Sequence, residues 1–195
     1  MSVILANINL ALPEIFILSM ACIILVVDLF LTEKNRHITY LLSQLTLVIA
    51  FALTLNLYGT TTYYLFSQTF VADPMSSVLK LCVYIATFIT FLYSKDYLKE
   101  RNIFNGEYFV LGLFGVLGMM IMISASSFLT MYLGLELLSL CLYAMVALQR
   151  DSSIASESAM KYFVLGAIAS GMLLYGMSML YGATGSLDLQ VISHQ

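Results

Sequence analysis

One carboxylate lies near the middle of a long apolar segment. Residues 127–148 contain Glu136 as their single charged residue. A helix rises about 1.5 Å per residue, which places Glu136 on the order of 14 Å from Ser127, near the centre of a hydrocarbon layer about 30 Å thick. A charge at that depth costs about 3 kcal/mol or more, and intramembrane acids often mark ion or proton paths. The position therefore predicts a proton relay at Glu136.

Polar groups accompany Glu136 on one face of the same helix. Tyr132, Glu136, Ser139 and Tyr143 follow the spacing i, i+4, i+7 and i+11, which places them in one stripe. We expect this stripe to face protein or water and not lipid. The alternative interpretation is a structural carboxyl, protonated or hydrogen-bonded, that holds neighbouring helices together.

Lys161 follows Glu157 by four residues at the start of the next apolar segment. One interpretation is an i, i+4 ion pair whose lysine extends toward the headgroups. The other is an amine at the mouth of a polar path, where it accepts and releases protons. Glu136 lies much deeper in its own helix than Lys161 does, by about 12 Å of helical rise. Waters or hydroxyls would therefore have to join the two groups.

Four further charged residues lie inside or at the ends of apolar segments. Lys80 follows Asp73 by seven residues on one helix face, and we expect it to extend toward the headgroups or to contact another helix. Asp28, Glu14 and Glu107 lie near segment ends, where a carboxylate costs little and needs no function. Asp28 could still cap a polar route from the cytoplasm.

Several kinds of site are excluded by the residues present. Cys22, Cys82 and Cys141 all lie in apolar segments, form no CxxC pair and have no histidine nearby, so metal binding and disulfides are not expected. The chain lacks the basic cluster of a nucleic-acid-binding surface and a glycine-rich nucleotide loop. We expect no cofactor, and no small-molecule ligand bound by this chain alone.

The composition predicts an all-α, polytopic membrane protein. Of the 195 residues, 61% are hydrophobic and 10% are charged, whereas a soluble domain has about 25% charged residues. Hydrophobic periodicity and helix-start signals define six transmembrane helices. Their predicted ranges are 10–31, 38–58, 74–94, 107–125, 127–148 and 157–182.

The cations of the loops all fall on one side of the predicted bundle. Lys34, Arg36, Lys95, Lys99, Arg101 and Arg150 occupy alternate loops. By the positive-inside rule, loops 32–37, 95–106 and 149–156 are cytoplasmic, and the N-terminus is periplasmic. Both ends of the chain are then expected to face outward.

Local patterns predict how the helices connect and pack. The polar and aromatic loop 59–74 is compatible with a short strand pair on the membrane surface. The polar residues 124–127 predict a tight helical hairpin. Small residues recur in the fourth and sixth segments and predict close helix packing. These residues are Gly112, Gly115 and Gly118 in one segment and Gly166, Ser170, Gly171 and Gly176 in the other.

Three segments resemble a known family. They are PEIFILSMACIILVVDLF (13–30), YLGLELLSLCLYAMVALQR (132–150) and ESAMKYFVLGAIASGMLLYGMSMLYGATGS (157–186). They closely resemble the antiporter-like membrane subunits of bacterial NADH–quinone oxidoreductase (respiratory complex I), and among these the subunit N family. The resemblance implies a fold of fourteen helices with two inverted repeats. Residues 1–106 would supply the first three helices, and residues 107–195 would begin the first repeat.

The resemblance also implies a function and partners. The subunit would translocate protons in the cell inner membrane while the complex oxidises NADH with quinone, with Glu136 as the relay and Lys161 as an accessory residue of the proton path. FMN, iron–sulfur clusters and quinone would be bound by other subunits, and the partners would be the other membrane subunits and the lipid bilayer.

Family members are longer than this chain, which ends at Gln195. We therefore expect a fragment, a truncated gene product or one piece of a split subunit, inactive by itself. Two alternatives remain at this point, namely a subunit of a multisubunit cation/proton antiporter and a non-catalytic membrane scaffold.

Overall fold

Six long apolar helices dominate the computed structural model, which describes residues 8–31, 36–101, 103–149 and 151–193. The prediction of six membrane-spanning helices in a multi-pass protein is confirmed for this part of the chain. The helices are α1 (Leu12–Phe30), α2 (His37–Asn56), α3 (Pro74–Glu100), α4 (Gly106–Ile123), α5 (Phe128–Val146), α6 (Ser153–Thr184) and the short α7 (Leu189–Ser193). Two strands, β1 (Tyr63–Leu65) and β2 (Phe70–Ala72), lie between α2 and α3.

Two of the predicted cytoplasmic loops are shorter than expected. Helix α3 continues to Glu100, so the predicted loop 95–106 is wrong over its first six residues. Lysine, leucine and glutamate are good helix formers, and their charge does not end a helix that leaves the apolar layer. Helix α6 begins at Ser153 rather than 157, because the Ser152 hydroxyl accepts a hydrogen bond from the Ala155 N–H at 3.3 Å and caps the helix. Of the predicted loop cations, Lys34 and Arg150 lie outside the described residues.

Helices α1 to α4 form a four-helix bundle. Helix α4 packs against α1, α2 and α3, while α1 and α3 lie across the bundle from each other. The core joins both predicted divisions of the chain, since Ile17 of α1 and Leu113 of α4 belong to one buried cluster. The division between residues 106 and 107 stays a prediction.

Helix α5 packs along α4, and α6 packs mainly on α5. The two outer helices therefore differ greatly in burial. Only Met177 is buried on α6, so the last long helix presents most of its apolar surface outward.

Short stretches of extended backbone close one end of the bundle. Strands β1 and β2 pair antiparallel, which confirms the predicted strand pair, although its place on a membrane surface stays a prediction. The segment 124–127 is the tight connection expected between α4 and α5. The Val71 N–H donates to the Ser124 carbonyl at 2.8 Å, and the Leu189 N–H donates to the Ser126 carbonyl at 3.1 Å. This end, which we call the hairpin end, is therefore connected by backbone hydrogen bonds.

Glycines allow α4 and α5 to approach closely. A methyl group at Gly118 would lie 2.7 Å from the carbonyl oxygen of Gly134, and one at Gly134 would lie 2.7 Å from that of Gly118. The predicted close packing of α4 is therefore confirmed. On α6 the prediction is confirmed at Gly166, where an added methyl group would meet the Tyr143 side chain. At Gly171 and Gly176 no atom of the described residues lies within 4 Å of an added methyl group, so close packing there stays a prediction.

We predict that Gly118→Val destabilises the protein by about 3 kcal/mol or more, because its side chain would overlap backbone atoms of α5. Gly171→Val is the matched control, since it has the same helix propensity and open space around it. Thermal unfolding in detergent measures both. Equal unfolding temperatures for the two variants would contradict the close contact.

Candidate functional site

Opposite faces of α5 meet different helices. Gly134 lies against α4, and the polar stripe on the other face lies toward α6. The Tyr143 ring packs edge-on against Tyr162 at a centroid distance of 4.8 Å, and its hydroxyl lies against Gly166. At the other end of the stripe, Tyr132 lines a cavity of about 250 Å³ with residues of α6. The stripe therefore faces protein, as its periodicity predicted.

Glu136 lies between these two contacts. Its side chain is half-buried, and its Oε1 atom is buried with no hydrogen-bond partner among the described residues. Counted from the Tyr143–Gly166 contact between antiparallel helices, Glu136 is level with Leu173 of α6. One turn away, the Ser170 hydroxyl donates to the Ala167 carbonyl of its own helix at 3.4 Å. By this count Glu136 lies level with a segment of α6 whose nearest hydroxyl, that of Ser170, bonds within its own helix.

The hydrogen-bond deficit defines what Glu136 can do chemically. An ionised carboxylate accepts about four hydrogen bonds, and a buried oxygen without one incurs the full desolvation cost of about 1–3 kcal/mol. A proton or a cation removes that cost by neutralising or coordinating the oxygen. The geometry therefore fits binding and release of a proton, and a carboxylate supports no redox step by itself.

Lys161 forms the predicted pair with Glu157. The Lys161 Nζ lies 2.6 Å from the Glu157 Oε1, and both side chains are about 70% exposed. The Tyr143–Gly166 contact places Lys161 beyond the last turn of α5, about 18 Å along the helix axis from Glu136. The structure therefore does not bring the two candidate residues together, as the difference in depth predicted.

A buried ion pair was not expected from the sequence. The Lys80 Nζ lies 2.6 Å from the Glu14 Oε1, and the two side chains are only 6% and 9% exposed. Of the two roles expected for Lys80, contact with another helix is confirmed, and extension toward the headgroups is wrong. Glu14 was expected to lie near a segment end and to need no function. The sequence did show that both residues lie within two turns of a helix start, and that these two helix starts are on the same side of the bundle. This common depth could have indicated the pair.

Asp28 lines a cavity at the opposite end of the bundle. It accepts a hydrogen bond from the Thr39 hydroxyl at 2.6 Å, and the cavity has a volume of about 480 Å³. An adjoining cavity of about 420 Å³ runs between α1, α4 and α5, and Glu107 is the one charged residue in its lining. The residues that line these two cavities do not form a polar route from Asp28 to Glu136 in the described part of the chain.

The described residues contain no cluster of three or more His, Cys, Asp or Glu side chains able to hold a metal ion. Their chemistry at the two acidic sites, Glu136 and the Glu14–Lys80 pair, is therefore that of carboxyl and amino groups.

Comparison with known proteins gives a consistent family. Residues 125–195 match the family model described as "NADH:quinone oxidoreductase/Mrp antiporter, TM". The chain is 65% identical over 181 residues to NADH-quinone oxidoreductase subunit N of Thioalkalivibrio sulfidiphilus, covering 93% of this chain and 38% of that protein. It is 52% identical over its full length to the subunit N of Methylovorus glucosotrophus, covering 40% of that protein. The chain thus spans about two fifths of the length of these relatives.

Solved structures show the same arrangement of helices. A chain of respiratory complex I from Thermus thermophilus superposes with a TM-score of 0.75 at 27% identity, covering 91% of this chain and 38% of that chain. A chain of an archaeal membrane-bound sulfane sulfur reductase superposes with a TM-score of 0.74 at 21% identity, covering 95% of this chain and 39% of that chain. The second similarity supports the fold alone.

We predict that Glu136→Leu stabilises the protein by about 1–3 kcal/mol, because it removes a buried oxygen that lacks a hydrogen bond. Glu100→Leu at the exposed end of α3 is the control and should change the free energy of unfolding by less than about 0.5 kcal/mol. Chemical denaturation in detergent measures both. A clear loss of stability in Glu136→Leu would identify a structural carboxyl instead.

Proposed function

We propose that the chain is the N-terminal part of a subunit N of NADH-quinone oxidoreductase, to which it is up to 65% identical. On this premise, Glu136 is the proton relay of a proton-translocating subunit of complex I. The observation that supports this proposal is the position of the carboxyl group. Its Oε1 is buried without a hydrogen bond, in the middle of a membrane-spanning helix and on the face toward α6.

Such a carboxyl group responds to charge in its surroundings. A cation that approaches Glu136 favours the ionised form and expels the proton, and its withdrawal favours proton uptake. The described residues offer Glu136 no such cation. The cation would therefore come from the rest of the full-length subunit or its complex, which would pump protons, whereas this chain alone would not. Oxidation of NADH by quinone, with FMN and iron–sulfur clusters, belongs to other subunits.

The cations at one end of the bundle support one orientation in a bacterial inner membrane. The Arg36 Nη1 donates to the Asn105 Oδ1 at 2.5 Å, and the Lys99 Nζ lies 5.7 Å from the centre of the Phe104 ring. These groups gather at the end of the bundle opposite the hairpin end. The positive-inside rule places them in the cytoplasm and the hairpin end in the periplasm.

Lys161 and Glu157 lie at the proposed cytoplasmic start of α6, with both charges exposed. An exposed acid–base pair exchanges protons rapidly with water. We assign Lys161 an accessory role in supplying protons to the path, with the remaining distance to Glu136 crossed by waters or hydroxyls.

A second candidate function is a subunit of a multisubunit cation/proton antiporter, because the matching family model covers both kinds of protein. Sodium-dependent proton exchange in vesicles that lack the rest of the complex would favour this function. A non-catalytic membrane scaffold remains the other alternative, and full proton pumping by a Glu136→Gln variant would favour it.

We predict that Glu136→Gln in the full-length subunit, assembled in the complex, lowers proton pumping severalfold, because an amide at this position cannot take up and release a proton. Quinone reduction and proton pumping are measured in reconstituted vesicles, with Glu100→Gln as the control. Full pumping by Glu136→Gln would reject the relay.

A further inference from the structure

Glu14 and Lys80 connect two helices that hardly touch. Glu14 is in the first turn of α1 and Lys80 is in the second turn of α3. These helices lie diagonally across the four-helix bundle, yet the Lys80 Nζ approaches the Glu14 Oε1 to 2.6 Å. The pair therefore fills the centre of the bundle near its hairpin end.

The pair is poorly satisfied despite its short distance. The approach of Lys80 does not have hydrogen-bond geometry, and both carboxyl oxygens of Glu14 are buried without a hydrogen bond among the described residues. A buried pair of charges is favourable only when further hydrogen bonds satisfy its remaining lone pairs and protons. Transfer of one proton from the ammonium group to the carboxylate removes both charges at once.

A fully buried hydroxyl at the same level also lacks a partner. Phe91 of α3 contacts Gly112 of α4. Eleven residues from this contact toward the hairpin end, α3 reaches Lys80 and α4 reaches Ile123, so these two residues lie at the same level of the bundle. Ser124 directly follows Ile123, and its Oγ atom has no hydrogen bond among the described residues. Its carbonyl accepts the N–H of Val71 in β2. Ser124 therefore lies between the level of the pair and the hairpin.

The hairpin covers the pair. The Lys80 Nζ lies 5.2 Å from the centre of the Phe70 ring, and Phe70 of β2 is itself 7% exposed. A ring in this position stabilises the cation and excludes water from it. Displacement of one side chain would open the pair to the aqueous phase at the hairpin end.

The other polar groups around the pair are bound. The Asp73 carboxylate accepts the Ser76 N–H at 2.9 Å. The Tyr84 hydroxyl lies 3.3 Å from the Thr54 Oγ1 and donates to the Met120 Sδ at 3.4 Å. Asp73 and Tyr84 are therefore held by other partners.

We propose that Glu14 and Lys80 form a second proton-exchange site, separate from Glu136, which Phe70 closes at the hairpin end. In the exchange, the N–H bond of the ammonium group breaks and an O–H bond forms on Glu14. The acid then releases this proton toward the hairpin end, with the Ser124 hydroxyl as a relay, and the amine takes up another. No electrons move. This inference does not depend on the role of Glu136.

The test uses the full-length subunit in its complex, reconstituted in lipid, and infrared difference spectra induced by a pH step. The wild-type protein should show a carboxylic C=O band that shifts in D₂O, and Glu14→Gln should lack it. Lys80→Met should strengthen the band, because Glu14 without its cation remains protonated. Glu100→Gln is the control for loss of an exposed carboxylate.

A second variant keeps the test valid if Lys80→Met fails to assemble. Phe70→Ala leaves both charged residues in place and should speed hydrogen–deuterium exchange of the band, whereas Phe70→Leu should not. A band unchanged in Glu14→Gln, or an exchange rate unchanged in Phe70→Ala, would overturn the proposal and leave a static ion pair. Proton pumping by Glu136→Gln is measured separately, so that the two proposals fail independently.

Discussion

A polar atom without a partner is costly wherever water is excluded, and this constraint determines the arrangement of the functional groups in the bundle. Hydroxyls inside the helices mostly donate to carbonyls of their own turn, as Ser43 and Thr46 do. Buried side-chain oxygens without a hydrogen bond among the described residues belong to Glu14, Gln44, Ser124 and Glu136. Natural structures satisfy most buried polar groups, and of these four residues only the two glutamates are acids. Our two proposals therefore rest on the two glutamates.

The two acidic sites differ in their charge partners and in their cover. Glu14 has a cation at 2.6 Å and lies under the Phe70 ring that covers this cation. Glu136 has no such cation in the described part of the chain. Under our two proposals, exchange at the Glu14–Lys80 pair would be controlled locally by Phe70, whereas exchange at Glu136 would require the approach of a charge from outside these helices.

Sequence reasoning predicted the features that depend on one helix at a time. Hydrophobic runs identified the six spans, and the spacing of the stripe placed Glu136 on a protein-facing side. It failed where two distant segments meet, because the depth of Glu14 and Lys80 can be read from the sequence but their approach across the bundle cannot. It also ended α3 too early, because the charged residues after position 94 have a high helix propensity and continue the helix to Glu100. Gly171 shows that a packing motif needs a surface opposite it, which the sequence of one helix does not specify.

The contrast between the two neighbours of α5 has a mechanical consequence. Interlocked backbones at Gly118 and Gly134 leave α4 and α5 no room to slide, so these helices behave as one stiff body. Helix α6 packs on that body through side chains alone in its middle, with Tyr143 against Tyr162 and Gly166. A displacement of α6 would therefore change the surroundings of Glu136 without disturbing the backbone contact between α4 and α5. The proposed relay thus lies on the more deformable side of α5.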